Sequence, residues 1–404
     1  MDENMAYKYI PFSPPDIRQE DIDAVCDVLR STWITTGPKV KEFESKLAAY
    51  CKVKNMVCLN SATAALELNL RVLGIGEGDQ VIVPAYTYTA TASPVVHLGA
   101  EIVFVDCAKN SFQMDYDAVE KAVTEKTKAI IAVDLFGVVC DYNRLFEIAE
   151  KKKNIFKPSN DIQKAMGRLA VVADCAHALG AKRDGLRAGA IADFSSFSFH
   201  AVKNLTTAEG GAATWKSIEG ISDSAIYKQY QLFSLHGQSK DALSKSSANS
   251  WEYDVIGAWY KCNMTDITAA IGIKQLERYE SLLKIRKDII ARYNAACDKL
   301  GVEYVLHSTD SMESSGHLYI THIPGVSVEK RNEIIENMAK KGVACNVHYK
   351  PLPMMTAYKN MGFDIKDYPN AYKFYENEIT LPLYTSLTDE DVEYIIQCFT
   401  ECLA

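Results

Sequence analysis

The chain has 404 residues, 48% hydrophobic and 24% charged, the balance of a soluble globular protein with room for two or three domains rather than a disordered or disulfide-stapled one. Its 44 Lys and Arg against 52 Asp and Glu leave a net charge of −8, which repels polyphosphate at long range and argues against nucleic acid as a partner. The amino terminus MDENMAYKYIPF lacks the basic-then-apolar pattern of an export signal, and no run approaches the ~20 apolar residues that span a bilayer, so a cytoplasmic protein without a membrane partner is expected.

From about residue 56 to 215, short β-branched runs alternate with helical patterns, as parallel strands joined by crossover helices require. The strand candidates are Gln80 to Val83, Glu101 to Val105, Ala129 to Val133, Leu169 to Ala173, Phe194 to Phe199 and Gly211 to Trp215. Several are apolar throughout, which predicts a sheet covered on both faces, with its chemistry at the carboxyl ends of the strands. The segment Gly74-Ile-Gly-Glu-Gly78 follows a helical pattern and precedes a strand, so it reads as a helix-ending turn and not as a dinucleotide loop. Lys151 to Lys164 and Gln238 to Ser250 read as polar surface loops, with Lys151 to Lys153 a solvated helix end. Beyond Asn263, Thr265 can cap a helix, and Ile267, Ile271, Leu282, Ile285 and Ile289 mark one long helix or two joined near Glu280. The boundary falls near residue 275. Residues 1–275 form a large α/β domain with a mostly parallel sheet flanked by helices, and 276–404 a smaller α+β domain. The smaller domain contains Leu318 to His322, a helix near Val328 to Lys341, and Val343 to His348. Eleven cysteines, odd in number and without CxxC spacing, read as reduced thiols rather than zinc ligands, and Cys398 and Cys402 as packing residues of a terminal helix; no metal is expected.

Three places can carry chemistry. Leu59-Asn-Ser-Ala62-Thr63 leads into a helix from Ala64 to Leu73, whose free N–H groups and positive dipole end suit a phosphate, or the stretch is an ordinary Ser/Thr cap. The run Leu169-Ala-Val-Val-Ala-Asp174-Cys-Ala-His177 puts a carboxylate at the end of a buried strand, where it needs a cation or hydrogen-bond donors, with an imidazole just beyond. The run Ser195-Ser-Phe-Ser198-Phe-His-Ala-Val-Lys203 delivers a lysine into a loop of small and hydroxylated residues, where it can lose its proton and attack a carbonyl. Together with the aromatic loop Pro84-Ala-Tyr86-Thr-Tyr88, these parts in this order are what pyridoxal 5'-phosphate requires: an anion site, an aromatic face, a carboxylate for the ring nitrogen and an amine for the aldehyde.

On Trp33-Ile-Thr-Thr-Gly-Pro38, Ser61-Ala-Thr-Ala64, Asp174-Cys-Ala-His177, Ser198-Phe-His-Ala-Val-Lys203, Ala208-Glu-Gly-Gly211 and Cys262-Asn-Met-Thr-Asp-Ile267, the sequence resembles the DegT/DnrJ/EryC1/StrS sugar aminotransferases, fold-type-I pyridoxal phosphate enzymes, over nearly its whole length. The resemblance implies that Lys203 forms the Schiff base, Asp174 partners the pyridine nitrogen, Tyr88 stacks on the ring and His177 lies near the phenolic oxygen. Ala62, Thr63 and Ser198 would hold the phosphate, completed by Asn263 of a neighbouring subunit, so a homodimer with shared active sites is implied. Thr35 and His348 match sugar-nucleotide contacts, or are a turn residue and a small-domain histidine. The implied reaction moves the amino group of L-glutamate to a nucleotide-linked keto sugar for a cell-surface glycan such as lipopolysaccharide. Many members carry Arg where this chain has Thr265, which leaves the grip on the donor carboxylate open. A sugar dehydratase of the same fold, with His in place of Lys203, and a non-catalytic scaffold are the competing readings.

Overall fold

The computed structural model describes residues 9–240 and 252–403. The chain up to Trp215 supplies β1 (Asn55–Leu59), β2 (Gln80–Pro84), β3 (Glu101–Val105), β4 (Thr127–Val133), β5 (Ala170–Asp174), β6 (Lys182–Arg183), β7 (Leu186–Arg187), β8 (Phe194–Ser198) and β9 (Gly211–Trp215). The second half adds β10 (Glu303–Tyr304), β11 (Met312–Glu313), β12 (Tyr319–His322) and β13 (Glu378–Leu381). Seven of these form the main sheet, in the order β1-β9-β8-β5-β4-β2-β3. Strands β4 and β5 are buried at every position, which explains why their sequences do not alternate. Only β9 runs against its neighbours. Its connection from β8, residues 199–210, contains no crossover helix, so the chain returns antiparallel instead of climbing over the sheet. The carboxyl ends of β1, β2, β4, β5 and β8 and the start of β9 therefore share one edge of the sheet.

Thr265 caps the helix Asp266–Glu277, its hydroxyl accepting from Thr268 N at 3.4 Å. The next helix, Tyr279–Leu300, begins after Arg278, whose guanidinium ties the break to Asp21 at 2.9 Å. A second apolar core forms where the sheet β10-β12-β13 meets the helices Val328–Lys340 and Asp389–Leu403, around Ile289, Tyr319, Ile334, Met338, Ile379 and Phe399. Cys398 is buried there, and all eleven cysteines are free thiols.

The structure corrects several expectations. Strand β1 is an addition to the strands that the sequence predicts. Val343 to His348, in the smaller domain, makes single bridges from Val343 to Ile10 and from Asn346 to Thr380, changing partners before a ladder can form. The segment Lys151 to Lys164 is not all loop, because Asp161–Met166 is a helix. Asn160 caps it by accepting from Gln163 N at 2.8 Å, and the Asn160 amide donates to Leu73 O at 2.8 Å, fixing the turn after the helix Ala62–Val72. Gly74 and Gly78 lie in that turn at φ 66° and 85°, where side chains are disfavoured. Most of Gln238 to Ser250 lies outside the described residues.

Candidate active site

At the shared edge of the sheet opens a cavity of about 330 Å³. Lys203, Asp174, His177, Tyr88, Ser198, Ala62 and Thr63 all line it, so residues from four separate stretches of sequence meet there.

Asp174 is the last residue of β5 and is 6% exposed. Its Oδ2 accepts from Thr91 Oγ1 at 2.8 Å and its Oδ1 from Ala176 N at 3.1 Å. Burial pushes its pKa up, while those two donors and the Lys203 charge oppose the rise. Thr91 is steadied in turn by Thr87, the two hydroxyls being 2.8 Å apart.

Lys203 sits on the loop after β8, its main-chain N donating to His200 O at 2.9 Å. Among the described residues its amine has no hydrogen-bond partner. Burial lowers its pKa to about 8 against the pull of Asp174. At pH 7 about a tenth of such amines are neutral, against roughly one in three thousand at the ordinary value, so the group is already much closer to a nucleophile.

The anion corner is made by the amino end of the helix Ala62–Val72, where Ser61 accepts from Ala64 N at 3.1 Å and leaves the first turn's other N–H groups facing the cavity. Gly211 opens β9 directly against it. A Cβ there would lie 2.2 Å from Ser61 C and 2.4 Å from Ala62 N, so only glycine lets strand and helix start approach this closely. Ser198 pairs with Gly211 in register and lines the same cavity.

His177 is 8% exposed, and its Nδ1 accepts from Phe136 N at 3.1 Å. The ring proton therefore sits on Nε2, 3.2 Å from the Tyr349 hydroxyl. Burial, with the nearby Lys203 charge, holds its pKa well below the ordinary value and keeps it neutral. Its ring lies 4.3 Å from that of His317, which meets Asn204 Oδ1 at 2.9 Å; Asn204 Nδ2 donates to Ser315 O at 2.8 Å. The residue after Lys203 is thus tied to the second half of the chain.

Not every expected residue reaches the cavity. Tyr88 lines it, 58% exposed, with its ring 5.8 Å from that of Tyr349. Tyr86 is core, its hydroxyl donating to His348 O at 2.6 Å. His348 stands behind Tyr349, stacked on Phe12 at 5.4 Å, and burial lowers its pKa to about 3. Thr35 is exposed and absent from the lining. Asn263 bridges to Leu59, the last residue of β1, but its side chain donates to Thr36 Oγ1 at 2.6 Å and stays outside this cavity. Thr91 and Tyr349 are site residues that no sequence motif singles out. Thr91 is three residues beyond Tyr88, one helical turn on, and Tyr349 adjoins His348; those offsets were the available signals.

The donor set suits a phosphorylated pyridine aldehyde: a helix start that glycine keeps open for an anion, a buried carboxylate, and an unpartnered amine. Comparison with known proteins agrees. The model of the DegT/DnrJ/EryC1/StrS aminotransferase family matches residues 15–400. The crystal structure named "Putative sugar aminotransferase Spr1654 from Streptococcus pneumoniae, PMP-form" is 58% identical, superposes with a TM-score of 0.95 and is covered over 99% of its length by 98% of this chain; the PLP form superposes at 0.94. Spore coat polysaccharide biosynthesis protein SpsC of Bacillus subtilis is 35% identical over 96% of each chain. The UDP-4-amino-4-deoxy-L-arabinose–oxoglutarate aminotransferase of Shewanella sediminis is 31% identical over 98% of this chain and 99% of its own. With its fold-type-I sheet, its cavity and matches along nearly its whole length, this chain belongs to the DegT/DnrJ/EryC1/StrS aminotransferase family, sugar aminotransferases that depend on pyridoxal 5'-phosphate.

Proposed function

We propose that this sugar aminotransferase takes the amino group of L-glutamate and delivers it to a nucleotide-linked keto sugar, a UDP-linked 4-keto sugar, making an amino sugar for a cell-surface glycan. The observation that carries the reading is that Lys203 and Asp174 open on one cavity beside a helix start fit for phosphate. The relative from Shewanella sediminis, whose name couples a UDP-amino sugar to oxoglutarate, supports the choice of donor and acceptor, and SpsC supports a glycan product.

In this proposal Ala62, Thr63 and Ser198 hold the cofactor phosphate, Tyr88 covers the ring and Asp174 keeps the ring nitrogen protonated. His177 presents its Nε2 proton toward the phenolic oxygen. When bound, pyridoxal phosphate supplies an electron sink beside the carbon that loses or gains the amino group. Lys203 Nζ, freed once the amino donor is engaged, would take the proton from the donor's α-carbon and deliver it to the C4′ carbon of the cofactor, and would carry it the opposite way for the keto sugar, so one amine of pKa about 8 serves both half-reactions. Asn263 acts in the active site of a second subunit, so the working form is a cytoplasmic homodimer with shared sites. Thr35 and His348 meet the nucleotide sugar. The division of each subunit near residue 275 belongs to the same proposal, supported by the second apolar core, whose members other than Ile10 all lie beyond that residue.

The test is a panel of UDP-, GDP- and dTDP-linked 4-keto and 3-keto sugars offered with L-glutamate to the cofactor-loaded enzyme. Release of 2-oxoglutarate in step with amino-sugar formation is expected from the UDP-linked 4-keto sugars and from none of them with Lys203→Ala. Turnover of a 3-keto sugar alone, or with a different amino donor, overturns the finer assignment.

A further inference from the structure

We propose that Glu378, acting through Thr380, decides which nitrogen of His348 carries the ring proton, and so whether His348 presents a hydrogen-bond donor or an acceptor on its open Nε2 side, next to the cavity-lining Tyr349. The consequence for a ligand rests on the reading that the sugar acceptor docks beside His348; the relay itself does not.

Glu378 and Thr380 are two apart on β13, so both side chains point to the same face, and both are fully buried. The Thr380 hydroxyl lies between two partners: it is hydrogen-bonded to Glu378 Oε1 and is 2.9 Å from His348 Nδ1. The second carboxyl oxygen, Oε2, accepts from His348 N at 2.9 Å. Asn346 and Thr380 exchange main-chain hydrogen bonds of 3.1 and 2.8 Å, which hold the histidine segment at this height on the strand. On the far side of the imidazole, Nε2 has no hydrogen bond to any described residue, and Tyr349, which lines the cavity, is the next residue in the chain.

A hydroxyl carries one proton, and that fixes the logic. With Glu378 ionised, Thr380 must donate to the carboxylate, so its lone pair receives Nδ1–H and Nε2 is left as an acceptor. With Glu378 protonated on Oε1, the carboxyl donates to Thr380, the hydroxyl turns to donate to Nδ1, and the ring proton moves to Nε2. The Nδ1 proton returns to solvent and Nε2 gains one, so the net change is a single proton taken up by Glu378. The ring stays neutral throughout, because burial holds it far below the working range. The hydrogen bond from His348 N to Oε2 fits both states.

The surroundings let the carboxyl change state. Burial raises Glu378 to about 8, against Thr380, the His348 N–H and Arg331, whose guanidinium donates to Glu378 O at 3.0 Å. Tyr86, Tyr349 and Cys345 also feel this carboxylate, and burial raises all three, so they stay protonated where Glu378 titrates. The Phe12 ring stacks on the imidazole at 5.4 Å, and the Lys203 charge also acts on it, lowering its pKa further. A donor at Nε2 suits a carbonyl or phosphate oxygen, whereas an acceptor suits a sugar hydroxyl.

The experiment is nitrogen NMR on protein labelled at histidine, with the His348 signals assigned by His348→Gln and followed from about pH 6 to about pH 10. In the wild type Nδ1 and Nε2 exchange their protonated and unprotonated signatures across one midpoint, and they do the same in Lys203→Met, which removes the other group titrating in that range. In Glu378→Gln the amide donates permanently to Thr380, so the signature of low pH persists at every pH. In Thr380→Val the exchange disappears although both end groups remain. With the sugar acceptor, KM in Glu378→Gln differs from the wild type by about fivefold at alkaline pH, the worth of one net hydrogen bond, and converges on it at low pH, while kcat is unchanged. A wild-type His348 that keeps one tautomer over the whole range, or a Glu378→Gln protein that follows the wild-type curve, overturns the relay. Failure of the KM result alone, with the NMR exchange intact, counts against the acceptor's docking site and not against the relay.

Discussion

At the floor of the cavity, Asp174 and His177 are almost sealed from water, and each has a partner that fixes its orientation: Thr91 and Ala176 N for the carboxylate, Phe136 N for the imidazole. At the mouth, Tyr88 is largely exposed, and His200 and Glu209 face each other at 3.6 Å with side chains 47% and 71% exposed. The floor holds charge and protons in a low-dielectric setting where each hydrogen bond counts. The mouth is screened and loosely held, as a surface that must admit and release a bulky ligand can be.

Variants can break or sharpen that contrast. The largest effect is expected from Lys203→Met, which should abolish turnover and remove the cofactor adduct that borohydride traps, read by mass spectrometry. Its stability effect has the opposite sign. The folded-state pKa of Lys203 is depressed to about 8, so the buried charge destabilises the apoprotein below that pH, and the penalty fades as pH rises toward the unfolded value of 10.5. The apo variant should therefore exceed the wild type by up to about 3 kcal/mol at pH 7 in urea unfolding, with the gap closing above pH 8. A gap independent of pH would show that the amine is not buried in its charged form. Next comes Asp174→Asn, which keeps the volume but not the charge. A fall in kcat of about a hundredfold or more is expected, with little loss in Tm.

Gly211→Ala probes the wall between floor and mouth. Its methyl meets main-chain atoms of Ser61 and Ala62 that have no slack, so cofactor affinity should fall by about tenfold and stability by ~1–3 kcal/mol, both measurable by titration and thermal melting. The smallest effect belongs to the mouth: Glu209→Gln should move stability by less than about 0.5 kcal/mol, because an exposed pair at that distance contributes little. A larger change would mean that the mouth is as rigid as the floor.

Where the chain's local chemistry decides structure, the sequence was readable. The apolar run ending in Asp174, the Ser61 cap and the small-residue loop bearing Lys203 each carry their own signal, and they meet at the edge where parallel strands must end. What escaped depends on partners distant in the chain. Asn204 and His317 look ordinary until packing brings them together, and Tyr349 reaches His177 across 172 positions. Val343 to His348 has β-forming residues, but it bonds to Ile10 on one side and Thr380 on the other. The helix Asp161–Met166 was hidden by its polarity, although Asn160 before it and Gly167 after it, at φ 66°, are the marks of a short capped turn.

The bond from Asn204 to Ser315 has a consequence for how the molecule is made. The neighbour of the reactive amine takes its final position from a segment synthesised more than a hundred residues later, so a nascent chain that has emerged only through the main sheet owns most of the amine's pocket but lacks both Tyr349 and the anchor that aims the amine. Competence should arrive late and all at once, after the slow closure of this long-range contact, and a product truncated before Ser315 should be able to fold its sheet without ever gaining a usable active centre.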